Sequence, residues 1–306
     1  MARRPSIAGS VDVGGRELTI RHLDRVIFPR TGTTKGELLD YYVRVSEVML
    51  PHLHERLLHM HRYPEGVEGP RFWQKGCPEH RPPWMPTAPV WSRDKQQNIE
   101  FCVVNELASL LWAVNIGSIE LHTSLHLRSE LQRPTVIAFD LDPGPGTNIL
   151  HCGEVALRLR ELFARAGLTA LPKTSGSKGL QVYLPLNASG VSYAITKPAS
   201  RRIAELLERQ TPDAVVSRMA RAARAGKVFV DWSQNTEHKS MVCAYSVRAK
   251  ARPTVSTPVS WNEIEQAIDA GDPARLSFEA AEVLERIAEL GDLFAPVMRL
   301  RQELST

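Results

Sequence analysis

Val136-Ile137-Ala138-Phe139-Asp140-Leu141-Asp142-Pro143-Gly144 is the stretch that decides the reading of this chain. It is an apolar, β-prone run with two carboxylates set one residue apart near its end. Side chains of a strand alternate between faces, so Asp140 and Asp142 project together while Phe139 and Leu141 point the other way. Two carboxylates that close repel each other unless a cation sits between them. A turn explains Asp142, because Asp-Pro-Gly ends many strands, but it does not explain Asp140, which lies inside the apolar run. The pair therefore reads as metal-ligating. Oxygen donors of this kind suit hard cations, Mg²⁺ or Mn²⁺, better than zinc.

Lys227-Val228-Phe229-Val230-Asp231-Trp232, much later in the chain, is a second apolar strand ending in a carboxylate. Alone, Asp231 is an ordinary strand-end residue. Three carboxylates from two strands form the donor set of a two-cation site for phosphoryl chemistry, provided the fold brings them together. Thr174-Ser175-Gly176-Ser177-Lys178-Gly179 lies between two further strands. Its glycines let the backbone bend toward a ligand, its hydroxyls and amides suit phosphate oxygens, and Lys178 adds charge. It lacks the spacing and the following helix of a Walker A loop, and on its own it reads as a hairpin turn. His122 follows a short apolar strand, where a lone histidine is ordinarily structural. Phe72-Trp73 sits on a polar loop, where the pair either stacks on bases or pins the loop.

The chain has 306 residues, 43% hydrophobic and 24% charged, the composition of a soluble globular protein with room for a sizeable core. No apolar run is long enough to cross a bilayer, and Met-Ala-Arg-Arg-Pro-Ser at the start lacks the core of a secretory signal. These features place the protein in the cytoplasm with no membrane partner. Cys77, Cys102, Cys152 and Cys243 are scattered, and Cys77-Pro-Glu-His80 is at best half a zinc site, so the expectation is free thiols in a reducing compartment and no structural zinc. The net charge of +4 says little, but its distribution says more. Between Ala214 and Arg252 there are eight Lys or Arg against Asp231 and Glu237, and from Pro253 onward ten acids against four bases. The N-terminal stretch carries Arg3, Arg4, Arg16, Arg21, Arg25, Arg30 and Lys35. A charge run alone is usually a solvated face; beside a metal site it suggests a polyanionic partner.

Periodicity predicts a strand at 17–20, a helix from Thr34 to about His54, a strand at 57–63 and a Pro/Gly-rich loop over 64–90. A helix at 105–115 and strands at 119–122 and 134–141 follow. Then come a helix at 153–166, strands at 168–173 and 180–186 and a helix at 196–210. Strands at 227–232 and 241–247 and helices at 261–270, 279–290 and 293–304 complete the chain. Strands and helices mix without strict βαβ alternation, which predicts an α+β fold with mostly antiparallel sheets flanked by helices.

Phe-Asp-Leu-Asp-Pro-Gly at 139–144, Thr-Ser-Gly-Ser-Lys-Gly-Leu at 174–180 and Ala-Gly-Lys-Val-Phe-Val-Asp-Trp-Ser-Gln-Asn at 225–235, in this order, resemble the polymerase domain of bacterial DNA ligase D. That domain is a member of the archaeo-eukaryotic primase superfamily. The resemblance runs from about Leu18 to about Leu293 and includes Thr31–Lys35 and Tyr245-Ser246-Val247-Arg248. It implies a primase-like catalytic core and a single primase-polymerase domain over 1–306, with an N-terminal 5′-phosphate and DNA-binding part at about 1–60 packed on a core at about 60–306. It implies template-dependent nucleotide transfer from NTP or dNTP to a primer 3′-hydroxyl, filling short gaps or extending ends in DNA repair.

The residue roles carried by the resemblance are these. Asp140, Asp142 and Asp231 hold two divalent cations, Mn²⁺ or Mg²⁺. Ser175 and Lys178 bind the triphosphate, with His122, Gln234 and Arg248 also lining the nucleotide pocket. Phe72 and Trp73 stack on bases, Arg25 and Lys35 form a pocket for the 5′-phosphate of a gap or break, and Arg224 lies on a loop that positions template and nucleotide. Implied partners are gapped or broken DNA, nucleoside triphosphates, a DNA ligase and a Ku-type end binder, with the chain acting as a monomer at the bacterial nucleoid. Three positions depart from the family pattern: Arg25 and Trp73 replace the usual lysine and phenylalanine, and Gln181 stands where histidine is usual. No Lys-x-Asp-Gly adenylation motif is found, so the expectation is a stand-alone member or that domain taken from a longer protein, which the sequence does not separate. Two rival readings are a haloacid-dehalogenase-type phosphatase, in which Asp140 would be a nucleophile, and a non-catalytic DNA-end-binding or synapsis module, suggested by Gln181.

Overall fold

A computed structural model describes residues 8–304; Arg3 and Arg4 of the basic N-terminal stretch lie outside the described residues. The strand Val136–Pro143 is the centre of a five-stranded sheet. Leu180–Pro185 flanks it on one side and Val228–Asp231 on the other, both antiparallel to it. Leu171–Thr174 forms one edge, antiparallel, and Val215–Val216 the other, parallel to its neighbour. The alternation read from the sequence holds. Ile137, Phe139 and Leu141 pack with Leu180, Val182, Val228 and Val230 into a core covered by the helices Ile149–Arg165 and Trp261–Asp269. Val136 and Ala138 turn to the opposite face and join a second core. Phe139 is fully buried, which is worth about 2–3 kcal/mol.

That second core belongs to an antiparallel six-stranded sheet in the order Met241–Val242, Ser118–Thr123, Leu57–Arg62, Gln97–Val103, Thr87–Ser92, with Phe72–Gln74 paired to Leu57–Arg62. Leu58, Met60, Ile119 and Leu121 face the helices Lys35–Leu53 and Leu107–Asn115. The register pairs His59 with His122 and His61 with Glu120, so these polar residues share the sheet face turned away from the helices.

The helix Lys35–Leu53 begins as its sequence predicts. Thr34 Oγ1 accepts from the Glu37 backbone N–H at 3.2 Å, and the Glu37 carboxylate accepts from the Thr34 N–H at 2.7 Å. This capping box contributes about 1 kcal/mol. Tyr41 Oη donates to the Tyr245 carbonyl at 2.8 Å. Tyr42 Oη donates to the Ile119 carbonyl at 3.0 Å and accepts from the Val247 N–H at 3.1 Å. The helix is thereby fastened to the segment that carries Arg248.

Five expectations need correction or completion. The strand expected over 241–247 stops at Val242, because Tyr245 takes a left-handed conformation with φ 68°. The loop over 64–90 contains the strand Phe72–Gln74 and the start of Thr87–Ser92. The C-terminal helix is one turn, Pro296–Arg299, since the Asn187 side-chain amide donates to the carbonyls of Val297 and Leu300. Strands Ala8–Val13, Val26–Phe28 and Gln97–Val103 were not read from the sequence. Cys77 and Cys102 form a disulfide, contrary to four free thiols, while Cys152 and Cys243 are free and buried. The Cys77 N–H donates to the Glu100 carbonyl at 2.5 Å, which brings the aromatic loop onto the strand that carries Cys102. Among the described residues no helix is long and apolar enough to cross a membrane.

The sheet's close spacing predicts a steric effect. A Cβ on Gly179 would lie 2.0 Å from the Leu141 carbonyl, between the two aspartates, whereas one on Gly9 meets nothing within 4 Å. Gly179→Ala is expected to destabilise by about 3 kcal/mol in urea unfolding, and Gly9→Ala to shift stability by less than about 0.5 kcal/mol. Equal unfolding midpoints for the two variants would refute the packing described.

Candidate active site

The backbone register assembles the three carboxylates. Asp140 lies directly opposite Asp231 across the antiparallel pair, and Asp142 lies two residues further along the same face, opposite Phe229. Asp140 is half-buried, Asp142 exposed and Asp231 buried. Their mutual repulsion is visible in their acidity. Burial first, then Asp142 and Asp231, push the Asp140 carboxyl up to about 7, against a hydrogen bond from Gln181. Burial and Asp231 likewise raise Asp142, opposed by Arg224 and Arg248.

Asp140 and Asp231 are held by donors that the sequence places nearby. Gln181, opposite Asp140 on the other side, donates from Nε2 to Asp140 Oδ1 at 3.0 Å. The Ser233 N–H and hydroxyl donate to Asp231 Oδ1 at 2.8 and 2.6 Å, and Gln234 Nε2 donates to Asp231 Oδ2 at 2.8 Å. Among the described residues no three His, Cys, Asp or Glu side chains converge as tightly as the ligands of one ion. The triad shares a face through backbone register, with Asp140 and Asp231 oxygens turned toward protein donors and Asp142 exposed.

A second network links the two sheets. Glu120 Oε2 lies 3.1 Å from His122 Nε2 and 3.6 Å from His61 Nδ1, and Glu120 Oε1 lies 3.3 Å from Arg248 Nε. Arg248 also donates to the Ser175 carbonyl in the turn of the five-stranded sheet. Burial drives the Glu120 carboxyl up, but the hydrogen bonds from His122 and His61 and the Arg248 charge outweigh it and hold the group well below the usual carboxylate range. Burial lowers His122 to about 4 despite Glu120, so its imidazole is neutral. A carboxylate only accepts, so Nε2 carries the proton. Trp73 stacks on His61 with centroids 4.8 Å apart and meets His122 edge-on at 4.7 Å. It remains 54% exposed, which leaves much of the indole free. Phe72, its neighbour, lies under the Arg62 guanidinium at 5.1 Å. The two rings therefore sit on opposite faces of a short strand rather than side by side.

The turn at 174–179 is tight. Ser175 Oγ accepts from the Ser177 and Gly179 N–H groups, both at 3.2 Å, and Lys178 is exposed at its tip. Arg224 ends a 3₁₀ turn, Arg221–Arg224, with its guanidinium 3.6 Å from the Phe229 ring centroid. A Cβ on Gly144 would lie 1.8 Å from the Arg224 carbonyl. The glycine after Asp142 thus admits the loop that carries Arg224. Arg25 and Lys35 stand apart from all of this. They line a separate cavity of about 270 Å³ with Arg21, His22 and Asn115. Lys35 Nζ donates to the Arg21 carbonyl at 2.8 Å and to Asn115 Oδ1 at 2.6 Å, and burial, then Arg25, lower its pKa to about 8.

Sequence reasoning missed Glu120, Lys173, His61 and Asn115. Glu120 had a signal: Ile119-Glu120-Leu121-His122 alternates, which puts the acid beside the histidine. Lys173 had none, because a lysine near a strand end normally reaches solvent, and here it is fully buried.

The family model described as "LigD, primase-polymerase domain" matches residues 34–294. The multifunctional non-homologous end joining DNA repair protein LigD of Mycobacterium tuberculosis (H37Rv) is 38% identical over 286 residues, covering 91% of this chain and 36% of that protein. The bifunctional non-homologous end joining protein LigD of Bacillus subtilis (168) is 30% identical over 287 residues, covering 94% of this chain and 45% of that protein. The polymerase domain from Mycobacterium tuberculosis Ligase D in complex with DNA superposes with a TM-score of 0.85 at 36% identity, covering 93% of this chain and 99% of that one. The chain thus spans well under half the length of these curated relatives.

The crowding of carboxylates predicts a pH signature. Without metal, folded Asp140 binds a proton up to about pH 7 that the unfolded chain releases near 3.8, so this residue makes stability fall as pH rises through that window. Buried His59, His122 and His126, lowered to about 3, 4 and 4, act in the opposite sense below 6.5. The informative quantity is therefore the difference between variants. In EDTA, Asp140→Asn is expected to gain stability relative to the parent chain as pH rises from 4 to 7.5. A difference constant with pH in urea unfolding would contradict it.

Proposed function

This chain belongs to the LigD primase-polymerase family, and we propose that it is a template-dependent nucleotidyltransferase that fills short gaps or extends broken ends during DNA repair. The observation that carries the proposal is the register placing Asp140 opposite Asp231 with Asp142 on the same face. Three carboxylates there, two of them raised in pKa by burial and then by a neighbouring aspartate, fit divalent cations of the Mg²⁺ or Mn²⁺ class and no softer metal. Bound to Asp140, Asp142 and Asp231, two such cations would acidify a primer 3′-hydroxyl and neutralise triphosphate charge.

The chain's own residues divide the remaining work. Ser175 and Lys178 hold the triphosphate at the turn between strands. Gln234, Arg248 and neutral His122 line the nucleotide pocket, where the imidazole gives its Nε2–H to Glu120 and adds no second charge beside Arg248. The exposed face of Trp73 stacks on a base, with Phe72 contacting the strand on the other side of the loop. Arg224 orients template and nucleotide from the loop seated on Gly144. Arg25 and Lys35 bind the 5′-phosphate at the far side of the gap in their own cavity. The substrates are NTP or dNTP and gapped or broken DNA, with a ligase and a Ku-type end binder as partners, in the cytoplasm at the nucleoid.

The rival readings lose their support. A dehalogenase-type phosphatase carries its Asp-x-Asp on a strand of a parallel sheet, and here both neighbours of Val136–Pro143 run antiparallel to it. The non-catalytic reading rested on Gln181, yet Gln181 donates to Asp140 and so serves the carboxylates.

Two outcomes test the proposal. Asp140→Ala should abolish Mn²⁺-dependent primer extension on a short gapped duplex while fluorescence anisotropy shows DNA binding retained; persistent synthesis would remove the metal assignment. Lys35→Met, which keeps the buried stem, should weaken binding to a gap with a 5′-phosphate on the order of tenfold and to a 5′-hydroxyl gap by less than about twofold. Equal losses on both would make Lys35 a general contact.

A further inference from the structure

We infer that Lys173 is a positioning residue for nucleotide transfer: by fixing which way the Gln181 amide faces, it presents an N–H rather than an oxygen to Asp140. The inference rests on the polymerase reading of the site and adds a residue that no motif assigns. Lys173 and Gln181 are direct partners across adjacent strands. The ammonium, fully buried, donates to Gln181 Oε1 at 2.5 Å and to Ser256 Oγ at 2.6 Å. Ser256 Oγ passes its own proton on to the Thr174 carbonyl at 2.9 Å, so it has a lone pair left for the lysine. Gln181 Nε2 then donates to Asp140 Oδ1 at 3.0 Å.

Polarity leaves one arrangement. A glutamine amide has two ends of similar shape, and its orientation is set by its neighbours. A lysine ammonium only donates and an ionised carboxylate only accepts; a cation at the site would enforce that state, because in its absence burial, with Asp142 alongside, raises Asp140 to about 7 and burial lowers Lys173 to about 7. With Lys173 present, the oxygen must face the ammonium and the NH₂ must face Asp140. Without it, nothing at 0–3% exposure opposes the flipped amide, which would set an oxygen against a carboxylate already crowded by Asp142 and Asp231. The hydrogen bond occupies Oδ1 and so fixes the carboxylate plane in which Asp140 offers its remaining lone pairs to a cation. The second-motif position thereby works with glutamine in place of the usual histidine, through a lysine supplied by the neighbouring strand.

The test separates positioning from mere support. Mn²⁺ binding is measured by electron paramagnetic resonance titration of the whole chain, beside primer extension and thermal melting, for Lys173→Met, Gln181→Ala and the double variant. Lys173→Met and Gln181→Ala should each weaken Mn²⁺ binding on the order of tenfold, with the double variant no weaker than Gln181→Ala alone. Unchanged Mn²⁺ affinity in Lys173→Met, or losses that multiply in the double variant, would overturn the inference. The unsubstituted protein gives a second readout that needs no Lys173 variant. The Gln181 side-chain ¹⁵NH₂ resonances, identified by their loss in Gln181→Ala, should exchange slowly with solvent and move on Asp140→Asn. A freely exchanging or unmoved pair overturns the inference as well. A parent chain that adds no nucleotide would sink the polymerase reading alone, and the amide resonances would still decide the orientation of Gln181.

Discussion

Like charges pressed together across a β-ladder are the constraint on which this molecule turns. Antiparallel pairing leaves no choice about where Asp140, Asp142 and Asp231 point, because a one-residue slip of either neighbouring strand would turn that strand's own apolar set, Leu180 and Val182 or Val228 and Val230, out of the core that Ile137, Phe139 and Leu141 form. The core that locks the register therefore also locks the repulsion. The surrounding polar residues answer it, with Gln181, Ser233 and Gln234 supplying donors and Arg224 and Arg248 supplying charge. A fold that maintains this arrangement holds a site whose electrostatic balance is completed by cations.

Arg248 is where the two halves of the structure meet. It reaches Glu120 on the six-stranded sheet and Ser175 on the turn of the five-stranded one, and its own segment is tied to the first long helix through Tyr41 and Tyr42. Glu120 is ionised and half-encircled by donors, so the guanidinium is anchored rather than free to pair with the aspartates. His61 stacks on Trp73 and neutral His122 meets it edge-on.

Much of this was legible in the sequence because it depends on periodicity. Alternation gave the shared face of Asp140 and Asp142, Thr34 as an N-cap gave the helix start, and the apolar run ending in Asp231 gave the third carboxylate. What escaped depends on contacts between distant segments. The Cys77–Cys102 bond forms because a loop folds back onto a strand, and no spacing announces it. The helix expected near the C-terminus is cut short by Asn187, a residue from the middle of the chain. Lys173 drew no reading from the sequence, and its role appears only once it pairs with Gln181 and is buried. Phe72 and Trp73 were read as one stacking pair, but a short strand sends them to different faces.

The tyrosine pair on the first helix carries a further consequence. Lys35 opens that helix beside the Arg25 cavity, and two turns later Tyr41 and Tyr42 fasten it to the backbone around Tyr245 and Val247, next to Arg248. On the proposed roles, the 5′-phosphate pocket and the nucleotide pocket would be mounted on one stiff bar whose length is set by helical rise. Such a part would work as a caliper: the span between its jaws is built into the fold, and the DNA, not the protein, would have to bend or fray until a gap of another size fits.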